Sequence, residues 1–148
     1  MGKIKYIFSY ILLVASVIII IFYGVRNMKQ WINYSEVPDV INSISVNNYH
    51  YLTVIANSRE VNDKEALARE IVHMCQKNAF HSMKFSVHAN GYPSGLDIKV
   101  YLVRGDVEQK EPFCNIRFVS DKCDRALDIK NNADEFHLYL DGNEIAFY

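Results

Sequence analysis

Five histidines and three cysteines are the residues best suited to metal binding or nucleophilic chemistry in this chain: His50, His73, His81, His88 and His137, with Cys75, Cys114 and Cys123. None falls in H-E-x-x-H, C-x-x-C or a related spacing that would set two ligands on one helical face, so no metal or cofactor is expected. Thiol catalysis needs a thiolate and a base within hydrogen-bond reach, and a triad is recognised by geometry rather than by sequence order. A site assembled from distant residues, such as Cys114 with His88 or His137, is therefore the enzymatic alternative. Cys75 shares a helical stripe with Leu67, Ile71 and Met74 and is expected as a small buried hydrophobe. An odd cysteine count gives no disulfide framework, although Cys114 and Cys123 are a pair that export would allow to oxidise.

Other short patterns are weaker. Arg104-Gly105-Asp106 matches the tripeptide that integrin receptors bind, but Gly and Asp also turn a chain between strands. Asn33-Tyr34-Ser35 is an N-glycosylation sequon only in a glycosylating host with this part exported. The acidic pairs Asp121 with Asp124 and Asp134 with Glu135 lie in a polar stretch without an apolar or glycine-rich surround, as solvated carboxylates do. No phosphate-binding loop, dinucleotide fingerprint or nucleophile elbow is present, and no catalytic residue is assigned.

The elements that would position these groups begin with a candidate anchor. Tyr6 to Val25 is a run of 20 residues without a charge, long enough at about 1.5 Å per helical residue to span a hydrocarbon core of about 30 Å. Tyr6, Tyr10, Phe22 and Tyr23 sit near its ends, where amphipathic rings favour the headgroup level. A cleaved signal peptide would have a shorter apolar region ending in small residues, whereas this one ends Phe22-Tyr23-Gly24-Val25-Arg26. The reading is a single-pass signal anchor in the cell membrane. Lys3 and Lys5 precede it and Arg26 and Lys29 follow, which with the α-amine favours an N-terminus inside and an extracytoplasmic C-terminal domain.

From residue 31 onward there are 12 Lys plus Arg against 17 Asp plus Glu, a net charge of −5. That balance argues against nucleic acid, whose phosphates require clustered basic residues. The lipid bilayer, through the N-terminal helix, and a protein partner are the interactions expected.

The remaining organisation is a tail at 1–5, the anchor at 6–25, a juxtamembrane connector at 26–47 and an α+β domain at 48–148. Pro38 interrupts the connector, and the helical spacing of Val37, Val40, Ile41 and Ile44 allows a short helix there. Tyr49 to Ala56 is β-branched and aromatic, hence a strand. Asn62-Asp63-Lys64-Glu65 has the form of a capping box, and the helix is expected from about Asp63 to Lys77, with Glu65 and Arg69 paired on its wet side. Ser82 to Ala89 and Leu96 to Val103 both alternate and read as a hairpin around the turn-rich segment 90–95. Phe113 to Val119 reads as a further strand. After the polar loop at 120–135, Phe136 to Leu140 and Glu144 to Tyr148 form a terminal hairpin, because Asp141-Gly142 suits a type I′ turn. The fold class is α+β, ordered β-α-β-β-β-β-β, with one helix on a mostly antiparallel sheet. Two functions fit: a membrane-anchored, non-catalytic interaction or accessory domain, or a membrane-tethered enzyme with a Cys/His site.

Overall fold

The computed structural model describes residues 13–23, 36–85, 91–122 and 126–148. The chain divides into Met1–Ser35 and Glu36–Tyr148. In the first unit residues 13–23 are helical (α1) and carry exposed Leu13, Val17, Ile18, Ile20 and Phe22. Among the described residues no helix is long and apolar enough to cross a membrane. The rest of the expected anchor, residues 6–12 and 24–25, lies outside them.

The second unit is a small α+β domain. Its elements are β1 (Asp39–Val46), β2 (Tyr49–Ile55), α2 (Lys64–Lys77), β3 (Gly95–Tyr101), β4 (Cys114–Val119), β5 (His137–Leu140) and β6 (Asn143–Ile145), with 3-10 turns at Arg104–Asp106 and Ala133–Glu135. The six strands form one sheet in sequence order. Every neighbouring pair is antiparallel except β2 and β3, which are parallel. Parallel neighbours need a crossover rather than a tight turn, and α2 supplies it.

Two expectations are corrected. Part of the expected connector, Asp39–Val46, is the edge strand β1, so the sheet begins well before residue 48 and the order is β-β-α-β-β-β-β. The turn that returns β1 along β2 is Asn47-Asn48, with φ of 51° and 67°. Asn tolerates this left-handed backbone better than any other non-Gly residue, so the pair makes a two-residue turn without glycine. The helical spacing of Val37 to Ile44 is outweighed by seven register pairs along β2, interrupted by a bulge between Val40 and Asn42.

The expected hairpin of 82–89 with 96–103 does not form either. Residues 82–85 are not in a strand and 86–90 lie outside the described residues. Both edges of β3 are already taken, by β2 and β4, leaving no place beside it for the expected hairpin partner. Phe85 is instead held by the Asn78 side chain, which accepts from Phe85 N at 2.7 Å and donates to Phe85 O at 3.1 Å.

The helix lies where its sequence places it, with the cap one residue later. Asp63 rather than Asn62 is the N-cap, its Oδ1 accepting from Ala66 N at 2.8 Å. A formal negative charge at the positive end of the helix dipole favours Asp over Asn there. Arg69 bonds Glu65 at 3.2 Å as the spacing requires. Asn78 ends the helix at φ 50°. The terminal turn is also as expected, Asp141 and Gly142 having φ of 49° and 87°.

Leu67, Ala68, Ile71, Val72 and Cys75 of α2 are buried in one core with Leu52 and Val54 of β2, Leu96, Ile98 and Val100 of β3, Ile116 and Phe118 of β4, and Leu138 of β5. Phe80, Phe85, Ile129 and Phe136 join it from the loops. Alternation along each strand therefore leaves the intervening residues on the opposite face of the sheet.

Candidate functional site

That opposite face is continuous across all six strands. The registers place Ile44 of β1 beside Tyr51 of β2, Tyr51 beside Asp97 of β3, Asp97 beside Arg117 of β4, Arg117 beside Tyr139 of β5 and Tyr139 beside Glu144 of β6. A second row runs Asn42, Thr53, Lys99, Asn115. Tyr51 is 47% exposed, and Ile44, Lys99, Asn115 and Arg117 are exposed as well. At one end of the sheet, Ile55 and Tyr101 of the same parity are buried.

Tyr49 is closely seated on this face. Its register partner is Gly95, and a Cβ at Gly95 would stand 2.5 Å from Tyr49 Cε2, so the absent side chain makes room for the ring. Tyr49 Oη donates to Leu96 O at 3.3 Å, and the ring lies 5.1 Å from that of Tyr51 at 46°. Burial raises the Tyr49 pKa, with Asp97 adding to the rise and a hydrogen bond from Arg117 opposing it. The phenol therefore stays neutral at physiological pH.

At the far side, His137 lies between two carboxylates, with Nδ1 2.7 Å from Glu144 Oε1 and Nε2 3.6 Å from Asp121 Oδ2. The Glu144 hydrogen bond raises its pKa, and the charges of Glu144 and Asp121 act in the same direction.

No family model, curated protein or solved structure matches the chain. The site is thus read from its own chemistry.

The groups singled out in sequence do not converge. His50 is on β2, edge-on to Phe85 at 5.0 Å, and burial lowers its pKa. His73 shares a hydrogen bond of 3.0 Å with Gln76 on α2 and lies against Phe147. His81 follows the helix, its backbone N–H donating to Asp39. Among the described residues no group of His, Cys, Asp and Glu could hold a metal ion. His88, Cys123 and Asp124 lie outside those residues.

Cys75 and Cys114 are buried free thiols. Burial pushes the Cys75 pKa far up, and it pushes Cys114 to about 11, with Asp141 adding to the rise and Lys64 opposing it. Neither supplies appreciable thiolate near neutrality. Cys114 opens β4 on the core side, whereas His137 pairs with Val119 at the other end of β4 and lies on the open face with Glu144. The geometry does not bring this pair together.

Arg104-Gly105-Asp106 forms a 3-10 turn in which Asp106 is ion-paired to Lys110 at 2.8 Å and only 16% exposed. The tripeptide is turning the chain, and its carboxylate already has a partner. Asp134 and Glu135 fall in the other 3-10 turn, where Glu135 pairs with Lys122.

Sequence reasoning missed the row through Asp97, Arg117 and Tyr139. The alternation of β3, β4 and β5 marks each as a solvent-facing position, but only the registers show that they abut.

Proposed function

We propose that this chain is a single-pass membrane protein whose extracytoplasmic α+β domain is a non-catalytic interaction module, docking a protein partner on the open face of its sheet. The observation that carries the docking surface is the unbroken row Ile44, Tyr51, Asp97, Arg117, Tyr139, Glu144. Tyr and Arg are the residue types that dominate interface energetics, because each combines a large apolar surface with a directional polar tip. Here they stand on strands rather than loops, so they are held in place before binding. The anchor rests on the uncharged run Tyr6 to Val25, and the orientation on the basic residues before it.

Complementation of a deletion strain at matched expression tests the docking face. Tyr51→Ala and Arg117→Ala should abolish or strongly reduce function, while Cys114→Ala, on the core side of the sheet, leaves it intact. Loss with Cys114→Ala in a chain whose circular dichroism is unchanged would replace the module with a catalytic role. Protease added to intact cells should digest the domain, and digestion only after lysis would reverse the orientation.

A further inference from the structure

We infer that the chain forms a homodimer by antiparallel pairing of β1 with β1 of a second copy, joining the two sheets edge to edge. An edge strand carries a row of backbone N–H and C=O groups facing outward, and folded proteins blunt such edges with charge, proline or brevity. The two edges of this sheet differ. β6 has three residues and carries Glu144, whereas β1 has eight and is the longest strand described. Its bulge between Val40 and Asn42 leaves Asn42–Val46 as a regular stretch.

Charge selects a second copy as the occupant. From Val40 to Ser58, through the whole of β2, there is no Asp, Glu, Lys or Arg, in a domain that otherwise carries −5 from residue 31 onward. The acidic remainder of the surface repels its own copy. Along Val40–Val46 no side chain of the strand adds to that repulsion or offers a countercharge to a basic partner.

The side chains agree. Ile44 and Val46 are 55% and 52% exposed on the same face as Tyr51. Antiparallel pairing of identical strands is two-fold symmetric, so one patch serves both sides of the seam. With Ile44 on the axis, Asn42–Val46 pairs along its full length, Ile44 meets Ile44 of the second copy, and the two Val46 side chains flank them. The apolar band Tyr51–Ile44 then continues across the seam into the second sheet.

The test uses the full-length chain in membranes and in detergent, with the unsubstituted chain as reference for its native cysteines. Ile44→Cys should form an intermolecular disulfide on mild oxidation, because directly opposed residues across an antiparallel pair lie within disulfide reach. Tyr51→Cys, one strand inward on the same face, should not. Light scattering in detergent should give twice the 17.2 kDa protein mass, and Ile44→Lys should halve it with circular dichroism unchanged. Cross-linking at Tyr51 as strong as at Ile44 would mean face-to-face association and overturn the edge pairing. A monomeric unsubstituted chain without cross-linking at Ile44 would overturn the dimer altogether. The second result does not bear on whether Tyr51 and Arg117 dock a different protein, whereas the first would place a second copy on that same face.

Discussion

Asp39 is 8% exposed, and its carboxylate accepts four hydrogen bonds: from its neighbour Val40 N, from His81 N, and from the backbone and hydroxyl of Ser82. It thereby ties the start of β1 to the turn after α2, contacts some forty residues apart in sequence. Asp39→Ala leaves two backbone N–H groups from His81 and Ser82 without this acceptor, and hydrogen bonds to a charged group contribute about 1.5–3 kcal/mol each. A loss of about 3 kcal/mol in urea unfolding of the domain is expected, and Asp39→Asn, which keeps one acceptor oxygen, should lose less. At His137 the folded pKa is raised by Glu144. Stability from this contact is therefore fully present below the unfolded pKa, about 6.5, and is lost as pH rises through the folded value. Its ring resonances should titrate above the free-imidazole pKa, and Glu144→Gln should bring the midpoint down. A midpoint insensitive to Glu144→Gln would show that the hydrogen bond is not what shifts it.

Among elements, legibility in the sequence followed how local the determining physics is. The helix at 64–77 needs only its cap, its stripe and its i, i+4 pair, all within one segment, and it lies where those features place it. The Asp141-Gly142 hairpin is equally local. β1 was hidden because its turn uses Asn47-Asn48, which also reads as a polar linker, and because its apolar residues match a helical spacing as well as a strand. The expected hairpin of 82–89 with β3 shows the converse: the alternation is present in the sequence, but pairing with β3 needs a free edge of that strand, and β2 and β4 occupy both. The open-face row was illegible for the same reason, since a one-residue slip of any strand would send its residues to the other face. Gly95 links that register to the docking surface. Gly95→Ala adds a methyl that would stand 2.5 Å from the Tyr49 ring, so the ring must leave its seat against Tyr51. Near-ultraviolet circular dichroism should change and partner capture should weaken, while Gly91→Ala, without contact at its Cβ position but strained at φ 70°, should cost only about 1 kcal/mol in stability. Unchanged tyrosine signals in Gly95→Ala would mean that the sheet backbone moves instead.

At the scale of the molecule, the point where the domain begins decides whether it folds alone. Glu36 N donates to Asn57 O at 3.0 Å and Asn57 Nδ2 donates to Val37 O at 2.8 Å, so the first described residues of this unit are already fastened to the end of β2. Val40 is 1% exposed within the core, and Asp39 holds the turn after α2. A fragment spanning Glu36–Tyr148 keeps all of these contacts and should be soluble without detergent and unfold in one cooperative transition in urea. A fragment starting at residue 48, the boundary suggested by composition, loses β1 altogether. It exposes one side of β2, a strand that contributes Leu52 and Val54 to the core, and it opens the cavity that Val40 fills. Removing a buried Val side chain and four hydrogen bonds to a buried carboxylate amounts to several kcal/mol, comparable to the whole stability of a domain this size. The shorter fragment should therefore aggregate or unfold without a pretransition baseline. Equal midpoints for the two fragments would show that β1 is an appendage to a five-stranded domain.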